Sequence, residues 1–108
     1  VTVKSGQASF LAVLKEFGDL QSPGMLSFPR PGYTLCLDFP YRGEKTLQLM
    51  RSLEEVVMEG DGALYPAKDA CMSPETFHEC YPRLEEFKQF LDPGISSSFW
   101  RRVMGGAG

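Results

Sequence analysis

Three residue types in this chain stand where they could act on a substrate: a lysine, a tyrosine and a cysteine. Lys68 lies in GALYPAKDA (62–70), three residues after Tyr65, with only Asp69 close by in sequence to neutralise it. An ammonium held in a cleft would stabilise a negative charge developing in a transition state. An exposed lysine at a strand end is usually a solvated charge. On a regular strand Tyr65 and Lys68 face opposite sides, so both reach one cleft only if Pro66 bends the chain. Cys36 sits among apolar neighbours in YTLCLDFP (33–40). A nucleophilic thiol needs a nearby base and a depressed pKa, and no local partner is evident. Its bland reading is a small core hydrophobe.

Other chemistries have little to work with. His78 is the single histidine, so any histidine-based triad depends on it. In TFHECYP it reads as a half-buried helix residue, and no HxxxH or ExxH spacing suggests a metal site. Cys36, Cys71 and Cys80 are odd in number and lack CxxC spacing, which argues against a disulfide framework or zinc and for reduced thiols in the cytoplasm. Glu54-Glu55 and Glu85-Glu86 read as solvated helix faces. No glycine-rich phosphate loop follows a strand. The net charge of −3 leaves no basic surplus for nucleic acid. No apolar run approaches the roughly 18 residues needed to span a bilayer.

The elements that must carry these residues are partly legible. YTLCLDFP alternates as a strand: Tyr33, Leu35, Leu37 and Phe39 form an apolar side, and Thr34, Cys36 and Asp38 a small polar one. The polar side suits either the floor of a binding site or the solvent face of an edge strand. SFLAVLKEFG (9–18) fits a helix face and a strand face equally. Between the two lies a long irregular connection with three prolines and two glycines (19–32). The stretch 43–62 is the clearest helix, with Leu49, Met50, Leu53, Val56 and Val57 as its stripe, Glu44 in the first turn and Gly60 at the stop. ALYP (63–66) reads as a short strand. Residues 73–93 read as helix in two pieces, capped by Ser73, opened by Pro74 and broken at Pro82. SSFWRRVM (97–104) reads as a last short helix, with Ser96 or Ser97 as cap and Arg101 and Arg102 near its end.

Several of these stretches occur together in a telling order: FLAVLKEFG, LSFPRPGYTLCLDFP, GALYPAKD, ETFHECYPRLEEF and the closing DP…WRR. The series resembles the C-terminal part of FAD-dependent oxidoreductases of the vanillyl-alcohol-oxidase superfamily. It is nearest to a ribose 2′-oxidase branch, with aldonolactone oxidases more distant. The resemblance covers residues 9 to 104 and makes 9–18 a strand. It implies that Lys68 contacts flavin and substrate as the catalytic cation, that Tyr65 lines the site, that Cys36 lies beside the flavin ring and that Lys15 is a second pocket lysine. Two positions depart from that branch: Thr34 stands where it has an asparagine and Tyr33 where it has a tryptophan.

The expectation is therefore an α+β chain: a small antiparallel sheet packed by one long helix, then C-terminal helices. The resemblance implies that residues 1–72 belong to a substrate-binding cap domain and 73–108 to a closing segment that packs on an N-terminal FAD-binding domain outside this chain. The chain opens at VTVKSGQ without a methionine, as a piece of a longer protein would. Implied function is oxidation of a sugar or sugar-lactone hydroxyl by hydride transfer to FAD, which the chain alone binds poorly. A non-catalytic ferredoxin-like binding or regulatory module is the alternative.

Overall fold

The computed structural model describes residues 5–9, 11–67 and 71–105. The architecture is α+β. Strands β1 (Leu11–Phe17) and β2 (Gly32–Asp38) form a two-stranded antiparallel sheet. Helix α1 (Glu44–Glu59) follows, then three short helices: α2 (Pro74–Cys80), α3 (Leu84–Lys88) and α4 (Ser98–Val103). Of the ambiguous stretch 9–18, Leu11–Phe17 is a strand, and its register runs from Leu11 opposite Asp38 to Phe17 opposite Gly32. Ser9 secures the open end of the ribbon: its hydroxyl donates to the Leu11 carbonyl and accepts from the Asp38 N–H at 2.9 Å. Among the described residues this one ladder is the whole sheet, whereas a ferredoxin-like module requires four strands.

The core lies at the other end of the chain. Met72, Phe77, Cys80, Tyr81, Leu84 and Val103 are buried together, and Leu26, Met58, Leu64, Phe99 and Trp100 pack against them. Phe77 is the hub: its ring lies 5.1 Å from Tyr81, 5.5 Å from Phe99 and 6.3 Å from Trp100, centroid to centroid. Local chemistry sets the helix ends here. The Ser73 hydroxyl accepts from the Thr76 N–H at 3.2 Å, and Pro74, at the first helical position, has no N–H to leave unpaired. Pro82 follows the C-cap Tyr81, and Ser97 caps α4 through the Trp100 N–H at 3.0 Å.

Helix α1 is tied down at both ends. Near its start, Thr46 and Gln7 are buried; the Gln7 amide nitrogen donates to the Lys45 carbonyl at 3.2 Å, and the Thr46 hydroxyl lies 3.0 Å from Gln7 Oε1. Near its end, Met58 packs on the core, with its sulfur 3.9 Å from that of Cys80. The predicted apolar stripe is only partly covered: Leu49 is buried, but Val56 is 51 % exposed.

Gly60 is the C-cap as expected, with a refinement, and two other expectations need correction. The helix stop is set by Asp61 as well as Gly60. Asp61 takes the left-handed conformation (φ 54°), the Gly62 N–H donates to the Val57 carbonyl at 2.9 Å, and the Asp61 N–H to the Met58 carbonyl at 3.2 Å. That pair of bonds is a Schellman closure. Residues 63–66 join no ladder among the described residues; the Leu64 N–H and carbonyl are taken up by the Cys80 and Tyr81 side chains instead. The apolar side of β2 is not a core face either: Tyr33 is 74 % and Leu35 60 % exposed, with no described element covering them.

Candidate functional site

The hairpin register brings three of the five site candidates together. In an antiparallel pair, directly opposed residues share a face, and the same face recurs every second residue. Lys15 is opposite Thr34, and Cys36 is opposite Val13, one step further along that face. Lys15 and Cys36 are exposed and Thr34 is half-buried. A cation, a hydroxyl and a thiol are thus displayed on one side of a twisted ribbon, with Phe17 at its end. Their company follows from the pleat alone.

Tyr65 reaches the same neighbourhood through a run of rings. Its ring centroid is 5.3 Å from Phe28, which is 6.4 Å from Phe17 in an edge-on contact. Phe28 comes from the long connection between the strands, so that loop is the wedge between the hairpin and the segment after α1. A recess of about 170 Å³ opens at this junction, lined by Phe17, Phe28, Arg30, Thr34, Gly62 and Ala63. Arg30 pins the wedge from behind, donating to the Cys80 carbonyl at 3.3 Å and the Asp61 carbonyl at 3.5 Å. The first of these bonds places a cation at the C-terminal end of α2, where the helix dipole favours it. Lys68 lies outside the described residues.

The segment carrying Tyr65 is held from two sides. The Leu64 N–H donates to Cys80 Sγ at 3.4 Å, and the Leu64 carbonyl accepts from the Tyr81 hydroxyl at 2.8 Å. Both partners stay protonated to high pH. Burial pushes the Cys80 thiol above its ordinary value, partly offset by the Leu64 N–H, and burial likewise pushes the Tyr81 phenol up.

Sequence reasoning missed Phe28, Arg30 and Glu54. Glu54 is half-buried rather than part of a solvated face. One of its oxygens accepts from the Ser73 hydroxyl at 2.6 Å, from the Ser73 N–H at 3.4 Å and from the Thr76 hydroxyl. It fastens α1 to the start of α2, where a carboxylate is also favoured by the helix dipole. No local signal marks it, since its partners lie about twenty residues downstream. The exposed pair Glu85–Lys88 (2.7 Å) and the two-pronged Arg83–Glu86 contact (2.9 Å) match the expected solvated face. Among the described residues, no three histidine, cysteine or acidic side chains converge as a metal site would require.

No family model matches the chain. Against individual proteins it is 43 % identical over 100 residues to decaprenylphosphoryl-beta-D-ribose oxidase of Mycolicibacterium smegmatis, a match that takes in 88 % of this chain. The chain is homologous to that oxidase. It is also 37 % identical over 103 residues, 91 % of its length, to an uncharacterized protein in the mprA 5′ region of Streptomyces coelicolor. The matches span 21 % and 28 % of those two proteins respectively. The kinship expected from the ordered motifs is therefore shown. No described helix is long and apolar enough to cross a membrane.

Proposed function

We propose that this chain is the C-terminal part of a FAD-linked oxidoreductase that oxidises a sugar or sugar-lactone hydroxyl. The observation that carries the reading is 43 % identity, over 88 % of the chain, to an oxidase whose name specifies a prenylphosphoryl ribose. In this reading residues 1–72 are the end of a substrate-binding cap domain, and 73–108 return to an N-terminal FAD-binding domain. Three free cysteines suit a cytoplasmic protein.

The residues present fit one edge of such a cofactor and not the whole of it. The Lys15–Thr34–Cys36 patch sets two exposed side chains beside a half-buried hydroxyl and is free of bulk at Cys36, which suits a flat ring laid against it. Nothing comparable to a dinucleotide phosphate loop accompanies it, so adenine and pyrophosphate are assigned to the other domain. Bound there, FAD supplies a two-electron acceptor for a carbinol C–H.

This chain's side chains would do the orienting. Lys15 and Thr34, paired across the strands, offer an ammonium and a hydroxyl to sugar oxygens. Tyr65, 60 % exposed, offers a phenol from the adjoining segment. Lys68 is assigned the catalytic role: a fixed cation stabilises negative charge gathering at the reacting centre, worth about 3–4 kcal/mol in a dry site. Phe17 and Phe28 keep water from that edge. Thr34 and Tyr33, from opposite faces of β2, both line the recess at the strand's end, and in this reading they form the wall that sets substrate choice.

The test uses the longer protein that contains this chain. Its absorption spectrum should show bound flavin, bleached anaerobically by a short-chain prenylphosphoryl-β-D-ribose or by an aldonolactone. Lys68→Ala should retain flavin and slow that bleaching about 100-fold to 1,000-fold. A colourless protein, or a flavin that neither probe bleaches, overturns the proposal.

A further inference from the structure

We propose that Tyr81 is a positioning residue for this site, acting on Tyr65 through the peptide of Leu64; the inference rests on the oxidoreductase reading. Tyr81 is 2 % exposed and sits in the core, with its ring 5.1 Å from that of Phe77. Its hydroxyl leaves the core in one direction only, toward the Leu64 carbonyl at 2.8 Å. Cys80, next in the chain and 3 % exposed, receives the N–H of the same residue at 3.4 Å. The two peptides that flank Leu64 are therefore each gripped at one polar group by consecutive residues closing α2, the 63–64 peptide by Cys80 and the 64–65 peptide by Tyr81.

That grip replaces a strand ladder. Residues 63–66 lie in no ladder among the described residues, so their path over the surface is not fixed by a neighbouring strand. Upstream, the path is set by the Schellman closure at Asp61 and Gly62. Downstream, the next residue after the gripped one is Tyr65, whose ring is exposed and touches only Phe28 among the described aromatic side chains. A swing of the Leu64 peptide would carry the Tyr65 phenol along the hairpin face, because a peptide rotation moves the following side chain as a lever. Tyr81 touches neither the Lys15–Thr34–Cys36 face nor the recess, so its influence runs through Tyr65. Its phenol stays protonated well into the alkaline range because burial disfavours the phenolate, which keeps the donor in place.

The experiment compares the longer protein with its Tyr81→Phe, Tyr65→Phe and Tyr65→Phe/Tyr81→Phe variants. The change at 81 removes one oxygen and leaves the ring in the core. Amide hydrogen exchange of the peptide covering 63–67 should quicken at least about tenfold in Tyr81→Phe, while peptides covering α2 and α4 keep wild-type rates. Bleaching of the flavin by whichever probe works on the wild type should slow about tenfold in Tyr81→Phe. The double variant should be no slower than Tyr65→Phe alone, as expected when one residue acts through the other. Unchanged exchange at 63–67, unchanged bleaching, or full additivity of the two losses overturns the positioning role. A wild-type protein with no flavin overturns the oxidoreductase reading, and the positioning role falls with it.

Discussion

The two ends of this molecule solve opposite problems. The helical end buries Phe77, Tyr81, Met72 and Val103 in a core dense with rings. The hairpin end shows Leu11, Leu14, Tyr33 and Leu35 to solvent on both of its faces. One end holds the fold; the other displays side chains. Hydrophobic burial scales with area removed from water, so the free energy of folding resides almost wholly with the helices and the segments packed on them. The hairpin's register, by contrast, comes from backbone pairing and from Ser9. Candidate site residues Lys15, Thr34 and Cys36 sit on the part with least to lose energetically, and Tyr65 sits on the seam between the two.

The sharpest way to break this contrast is truncation on either side of it. Phe77→Ala should cost about 3–5 kcal/mol, read as a fall in the denaturant midpoint. Leu14→Ala on the hairpin should change stability by less than about 0.5 kcal/mol. Equal losses would mean that the ribbon is packed.

Alkaline titration tests the same division. The Cys80 thiol and Tyr81 phenol are both raised from their ordinary 9.0 and 10.0. In the folded state they hold protons that the unfolded chain gives up, so their contribution is fully present below pH 9 and declines above it. The loss should grow by up to about 1.4 kcal/mol per pH unit for each group. Melting curves from pH 8 to 11 should show it, and Tyr81→Phe should flatten the part due to the phenol.

Glu54→Ala should cost about 1–3 kcal/mol, since it strips the hydroxyls of Ser73 and Thr76 of their shared acceptor. Glu55→Ala, on the exposed side of the same helix, should cost nearly nothing. Two further changes lie at the seam. Gly62→Ala brings a methyl within 2.8 Å of Val57 Cγ1 and 3.0 Å of its carbonyl and should cost about 1 kcal/mol or more. Asp61→Gly should stabilise by up to about 1 kcal/mol, because glycine takes the left-handed conformation without strain. Both are measurable by thermal unfolding.

What the sequence disclosed divides along similar lines. Features governed by near neighbours were readable: the Ser73-Pro74 start of α2, the break at Pro82, a serine cap at 96 or 97, which the structure gives to Ser97, and the alternation of YTLCLDFP. The polar side of β2 was legible too, and so was its partner strand once the ordered motifs made 9–18 extended. Features that depend on distant groups were hidden. ALYP has a strand's composition, yet Leu64 takes its hydrogen bonds from Cys80 and Tyr81, sixteen and seventeen positions on. Glu54 looks like any helix glutamate until α2 docks on it. Phe28 was one apolar residue in a proline-rich loop, with no pattern to show that its ring meets both Phe17 and Tyr65. The apolar side of β2 was misjudged because alternation reports that a face wants cover and says nothing about who provides it.

The hairpin has a practical consequence for anyone making this chain in a cell. Each of its strands keeps an outer margin with no strand beside it among the described residues, next to bare leucines. Such margins recruit one another into growing stacks. Glu16, Lys15 and Asp38 are the charges placed to discourage this, and they are few. Expressed alone, the chain should go into inclusion bodies, and co-expression with the N-terminal part proposed above should bring it back into solution.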